Sequence, residues 1–172
     1  TTPLTMRQAE DLLQRAQTDA EIAGLLERVN VLIIPMLNPD GVMLSQQGLA
    51  SVPDEAARNQ LLGWNGGDED FTLWKANGRG VDLNRNQNIE WIPGTAETSP
   101  APANFPGQYA LSEPESIAIY EVMRQQRPDM QLNYHATGPI IFWYGEATGA
   151  PLATVRHQAE ATAAPTGSTP VP

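Results

Sequence analysis

The stretch NVLIIPML, residues 30–37, limits the fold more than any other part of the chain. It is continuously apolar, rich in β-branched side chains, and shows no polar alternation before Asn38. A strand with one wet face alternates. A strand without alternation is covered on both faces, as in a parallel sheet with helices on each side. Pro35 has no N–H to give to a ladder, so it is expected near the end of such a strand. NPDG, residues 38–41, then reads as a turn, because Pro39 presets φ and Gly41 permits positive φ.

Helical signals surround this strand. Thr5 with Gln8 and Thr18 with Glu21 fit the capping-box spacing. Leu12, Leu13 and Ala16, then Ile22, Leu25 and Leu26, recur at helical intervals. Residues 45–73 read as irregular, with GWNGGDED as a surface loop, and residues 87–108 as a long loop of the kind that often carries function. SEPES opens a helix, with Ser112 as the cap, Glu115 closing the box and Pro114 in the first turn, where its missing N–H costs nothing. RPDM ends that helix. MQLNYH alternates, placing Met130, Leu132 and Tyr134 on one face and Gln131, Asn133 and His135 on the other, so it predicts a strand that delivers His135 at its C-terminal edge. PIIFWYG predicts another strand, PLATVRHQAEAT a helix, and APTGSTPVP a loop. The order is that of an α/β domain with a largely parallel sheet flanked by helices, without internal repeat or linker over 1–172. In open α/β sheets ligands collect beyond the carboxyl ends of strands, where NPDG and His135 both fall.

Charge and cysteine content remove several function classes. A formal net charge of -10 argues against a nucleic-acid phosphate binder, which needs a basic face. The apolar run is far too short to span a bilayer. The chain has no cysteine, so it has neither a disulfide framework nor a thiolate metal site. Any metal has to be held by His, Asp, Glu or water, and the histidines are His135 and His157 alone.

The chemistry concentrates in GRGVDLNRN, residues 78–86. Arg85 offers a planar fork that matches a carboxylate, and Asn84 adds an amide donor beside it. The plain alternative is an Asn-capped turn with a solvated Arg. Asp82 sits between Val81 and Leu83, so its carboxylate is expected to be partly buried and in need of a partner. A metal-bound imidazole is one such partner. A lone strand-end His such as His135 is more often a satisfied polar residue than a ligand, and His157 reads as a surface helix residue. Lys75 near a cleft could stabilise an oxyanion, although WK alone argues little. The carboxylates of SEPE are accounted for by capping.

IIPMLNPDG, WKANGRGVDLNRN, FPGQYALSEPES and YHATGPIIFWYG, in this order, resemble the zinc carboxypeptidase family of carboxypeptidase A-like metallopeptidases, most closely its bacterial γ-D-glutamyl-diaminopimelate peptidases. The resemblance spans roughly residues 30–145 and implies a mixed sheet flanked by helices. It implies a Zn(2+) ion held by the His and Glu of an H-x-x-E motif and by a later strand-end His, which His135 matches. Asn84 and Arg85 match the pair that grips the substrate's terminal carboxylate. Lys75 falls where many members carry an Arg that polarises the scissile carbonyl, and Asp82 matches the carboxylate behind a ligand His. Ala136 and Thr137 stand where many members have Ser-Tyr. The family's H-x-x-E pair precedes the NPDG strand, where this chain has no His, and its general-base Glu and substrate-closing Tyr come late. The chain is therefore expected to be an internal piece of the catalytic domain, truncated at both ends and inactive alone. The implied reaction is zinc-assisted hydrolysis of a peptide, cell-wall peptides included, at or near a free C-terminal carboxylate, in an extracytoplasmic setting. Two alternatives stand beside it: a non-catalytic module of the same fold that binds peptides or carboxylates, and a same-fold deacylase of small acylated amino acids.

Overall fold

In the computed structural model, residues 2–89, 91–92, 97–135, 139–143 and 150–171 are described, those at 150–152 by their backbone. The elements run α1 (Thr2–Arg15), α2 (Ala20–Leu26), α3 (Pro39–Gln47), a 3-10 turn (Gly48–Ser51), α4 (Glu55–Trp64), α5 (Pro114–Gln126), β1 (Ile140–Phe142), α6 (Ala150–Thr166) and β2 (Thr169–Val171). They fall into two compact units, Thr2–Gln131 and the residues from Leu132 onward. None of the described helices is long and apolar enough to cross a membrane.

The second unit is a β–α–β step. β1 and β2 pair in parallel with Ile140 opposite Thr169, Ile141 opposite Pro170 and Phe142 opposite Val171, and α6 connects them. This is the parallel pairing that an alternating strand and helix order dictates, and the architecture is α/β. The C-terminal stretch expected as a loop thus supplies a strand.

In the first unit, side-chain caps set the helix starts. Asp19, not Thr18, caps α2, accepting from the Glu21 and Ile22 amides. Thr5 lies within α1, and its hydroxyl donates to the Thr2 carbonyl. NPDG is not a free-standing turn: Asn38 caps α3 by accepting from the Gly41 N–H at 2.9 Å, and Pro39 occupies the first turn. The stretch expected to be irregular contains α4, capped by Asp54, whose carboxylate accepts from the Ala57 N–H at 2.7 Å. The box expected at Ser112 and Glu115 does not form. Glu113 is the N-cap of α5 and its side chain makes no capping bond.

Among the described residues the expected strands at 30–37 and 130–135 are not assigned to a ladder, and Val31, Leu32, Ile34, Met36, Met130, Leu132 and Tyr134 are exposed. Apolar composition favours a strand but does not by itself set its pairing. The core of the unit lies instead under α3 and α4. Leu44 and Leu61 are buried with Phe71, Trp74 and Ala76, and Leu49, Val52 and Trp64 pack against them. Phe71 and Trp74 meet with ring centroids 5.2 Å apart, and the Trp74 indole donates to the Asn77 carbonyl. That core anchors the entry to residues 78–86.

Candidate functional site

The turn after Trp74 is closed by its own side chains. The Asn77 side-chain oxygen accepts from the Arg79 and Val81 amides at 3.0 and 3.1 Å, and the Asn77 N–H donates to the Val81 carbonyl. Gly80 has φ +74, and a Cβ there would lie 2.7 Å from Pro100 Cβ, so the close approach of the two segments needs glycine. Residues 101–105 then stitch the turn together. Pro102 accepts from the Lys75 and Ala76 amides, Ala101 donates to Gly80, and Asp82 donates to Phe105. Lys75, Asp82, Asn84 and Arg85 are thereby carried on one hydrogen-bonded loop cluster.

Asp82 is buried, as its setting between Val81 and Leu83 predicts. Its partners are backbone amides: one carboxylate oxygen accepts from the Asn84 N–H at 3.1 Å and the other from the Asn104 N–H at 2.9 Å. The Arg85 N–H closes the turn on the Asp82 carbonyl. Asn84 and Arg85 stand exposed, and the next residue, Asn86, is fully buried. Among the described residues no carboxylate lies within ion-pair distance of Arg85. The turn therefore presents a guanidinium fork and a neighbouring amide to solvent on a backbone fixed from both sides, which is a geometry suited to an anion. Lys75 adds a second exposed cation on the same cluster.

Beneath the turn lies a polar network that sequence reasoning did not single out. The Asn86 amide donates to Pro106 O at 2.8 Å, Tyr109 O at 3.1 Å and Ser112 Oγ at 2.9 Å, and its oxygen accepts from the Glu113 N–H. Ser112 Oγ donates to Glu113 Oε1, and Asn77 Nδ2 donates to Glu113 Oε2 at 2.8 Å. Arg79 approaches the same oxygen at 3.6 Å. Glu113 is 2% exposed, so its charge is balanced by donors and not by water. The signal that could have found the network is the third Asn-type residue of the WKANGRGVDLNRN run, since polar side chains in an apolar setting need partners.

His135 belongs to the second unit and is exposed there; His157 is exposed on α6. An H-x-x-E spacing does occur, at His157 and Glu160, but it follows the last predicted strand and Glu160 is engaged by Arg156 at 2.9 Å. Ala136 and Thr137 lie outside the described residues. Among the described residues no three His, Asp or Glu side chains come together as a metal site, so they do not by themselves constitute a zinc centre.

The model of the zinc carboxypeptidase family matches residues 1–168. Gamma-D-glutamyl-L-diamino acid endopeptidase 1 of Lysinibacillus sphaericus is 33% identical over 150 residues, covering 83% of this chain and 37% of that protein. The uncharacterized protein YqgT of Bacillus subtilis (strain 168) is 37% identical over 121 residues, covering 69% of this chain and 32% of its own length. Human carboxypeptidase O is 27% identical over 134 residues, covering 77% of this chain and 32% of its own length. The chain thus spans about a third of the length of these relatives. No solved structure matches.

Proposed function

The chain belongs to the zinc carboxypeptidase family, and on that premise we propose that the protein is a zinc-dependent peptidase that acts at or near a free C-terminal carboxylate gripped by Arg85 and Asn84. The observation that carries this reading is the turn itself: an exposed Arg85 and Asn84 set between the buried, hydrogen-bonded Asp82 and Asn86. A guanidinium gives two parallel N–H bonds to one carboxylate, and the adjacent amide adds a third donor. Anchoring the chain end in this way fixes which peptide bond is presented and adds binding energy for substrates with a free carboxylate. Lys75 is the residue suited to a carbonyl oxygen as negative charge develops on it.

Zinc in this family polarises a carbonyl and activates water. The described residues do not make a complete set of ligands, so no step is assigned through the metal. His135 is the residue of this chain proposed to donate to it, with the remaining ligands proposed to come from sequence beyond these residues. Asp82 is proposed to orient a ligand His as well as to hold the turn. Each of its oxygens has a second lone pair after accepting one amide, which leaves capacity for an imidazole N–H.

We propose as substrate a peptide with a γ-D-glutamyl-L-diamino acid linkage, met outside the cytoplasm in cell-wall material. The support is the 33% identity to the Lysinibacillus sphaericus endopeptidase, whose name specifies that linkage. The test uses the full-length protein with matched peptides ending in a free carboxylate or an amide. Arg85→Ala is expected to lower kcat/KM for the free acid by about a hundredfold, as loss of a charged hydrogen-bonded pair does, with little change for the amide. Equal loss on both peptides refutes the grip. His135→Ala is expected to abolish stoichiometric zinc and hydrolysis together. A second reading, a carboxylate-binding module without catalysis, rests on the same two donors; it is favoured if the full-length protein binds the free acid but never cleaves it.

A further inference from the structure

We propose that Asn86 is a positioning residue: its buried amide ties the turn bearing Asn84 and Arg85 to the chain entering α5, and so sets where those two side chains present their donors. This rests on the carboxylate grip proposed above. Asn86 touches no substrate in this reading. It is 0% exposed, directly follows Arg85, and spends both ends of its side chain on residues 20 to 27 positions away.

Three features of the surroundings serve the turn: one packs on the Asn86 side chain, one holds the Asn86 backbone and one holds Asp82. Gly107 has φ +82, and a Cβ there would meet Ser112 Oγ and lie 2.6 Å from Asn86 Nδ2, so the loop passes close because it carries glycine. Leu111 is held in the left-handed region at φ +57, which is costly for a branched side chain, and its N–H donates to the Asn86 carbonyl at 2.7 Å. Asn104, at φ +67, donates its N–H to Asp82 on the other side of the Asn84–Arg85 pair. Two residues in left-handed conformation thus clamp Asp82 and Asn86, which lie to either side of the exposed pair. A turn needed merely to reverse the chain requires neither. A turn that must hold a bidentate donor within a fraction of an ångström does, because a fork that wanders loses its two parallel bonds.

Below the knot, Ser112 Oγ receives the Asn86 amide and donates to Glu113 Oε1, while Glu113 Oε2 receives Asn77 Nδ2 from the start of the same turn. The two ends of the turn, Asn77 and Asn86, therefore converge on Ser112 and Glu113. The carboxylate of Glu113 accepts from Asn77 directly and is linked to Asn86 through Ser112, so it joins the two ends.

The test measures kinetics of the full-length protein on the free-acid peptide and its amide for wild type, Asn86→Ala and Ser112→Ala. Asn86→Ala is expected to raise KM for the free acid about tenfold or more, with kcat and the amide's parameters unchanged, since loss of uniform binding appears in KM. Asn86→Asp, which keeps the acceptor for the Glu113 N–H but loses the donors, is expected to fall with Asn86→Ala. Ser112→Ala removes one acceptor of three and is expected to raise the same KM by a smaller factor. It decides the matter if Asn86→Ala does not fold, and an unchanged free-acid KM in Ser112→Ala would then overturn the proposal. Loss shared equally by acid and amide, or an unchanged preference in Asn86→Ala, overturns the positioning role while the grip survives. If the wild type shows no preference for the free acid, the grip itself is wrong and this inference falls with it.

Discussion

At the scale of single residues, the sequence announces charge more readily than burial. Arg85 and Asn84 draw attention in the sequence because a fork beside an amide is itself a chemical proposition, and the structure adds that both are exposed. Asn86 was not, because an Asn in a turn reads as a local cap and its partners lie at 106, 109, 112 and 113. Asp82 was half legible: two apolar neighbours announced a buried carboxylate, but not that the amides of Asn84 and Asn104 would satisfy it. Gly107 measures how tightly this region is built. An Ala there would be held at φ +82 with its Cβ 2.6 Å from Asn86 Nδ2. Left-handed strain and overpacking each cost about 1–2 kcal/mol, so Gly107→Ala is expected to destabilise by roughly 2–4 kcal/mol. Urea unfolding checks this: the midpoint should fall at unchanged slope. A loss under about 0.5 kcal/mol, the range of an ordinary surface change, would mean the loop relaxes freely.

At the scale of elements, helices were easier to read than strands because a helix satisfies its own backbone. Even so, α4 was hidden by the glycines and acids that follow it, although Asp54 and Glu55 give its start and Leu61 its buried face. Removing the cap with Asp54→Ala is expected to cost about 1 kcal/mol, and Leu61→Ala, at 3% exposure, about 2–5 kcal/mol. Thermal or denaturant unfolding should rank them in that order, and a reversed order would place the core elsewhere. In α5, Arg124 donates to Glu121 at 2.8 Å and holds the carboxyl below the ordinary glutamate value near 4.5, chiefly through that hydrogen bond. A depressed folded value means the pair stabilises α5 above the ordinary value and ceases to as pH falls through the depressed one. The pair lies at the surface, so the readout is the titration of Glu121 followed by NMR. Its midpoint should rise when Arg124→Gln removes the donor, and an unmoved midpoint would assign the shift to another cause.

At the scale of the whole molecule, the α/β class and its parallel pairing were legible, while the positions of the strands were legible only in part. The parallel pair forms where the sequence supplies two strands around one helix, β1–α6–β2. The apolar runs at 30–37 and 130–135 have strand composition without a described ladder, and they leave Val31, Leu32, Ile34 and Met36 in contact with solvent. Exposed apolar side chains seek partners, whereas a net charge of -10 keeps copies apart. Charge repulsion is screened within about 8 Å at physiological salt and apolar attraction is not. These 172 residues taken alone are therefore expected to bind a hydrophobic dye and to associate more as salt is raised. Light scattering that is flat across a salt series would refute this. The metal follows a similar argument. Zinc is held tightly by three or four ligands brought together, and one exposed imidazole at His135 offers a single donor. The same 172 residues are expected to lose zinc on dialysis and to leave peptides uncut, while the full-length protein keeps about one ion. Zinc retained near one-to-one by the 172 residues alone would show that a complete site forms within them, and the proposal that other ligands lie beyond this chain would be wrong.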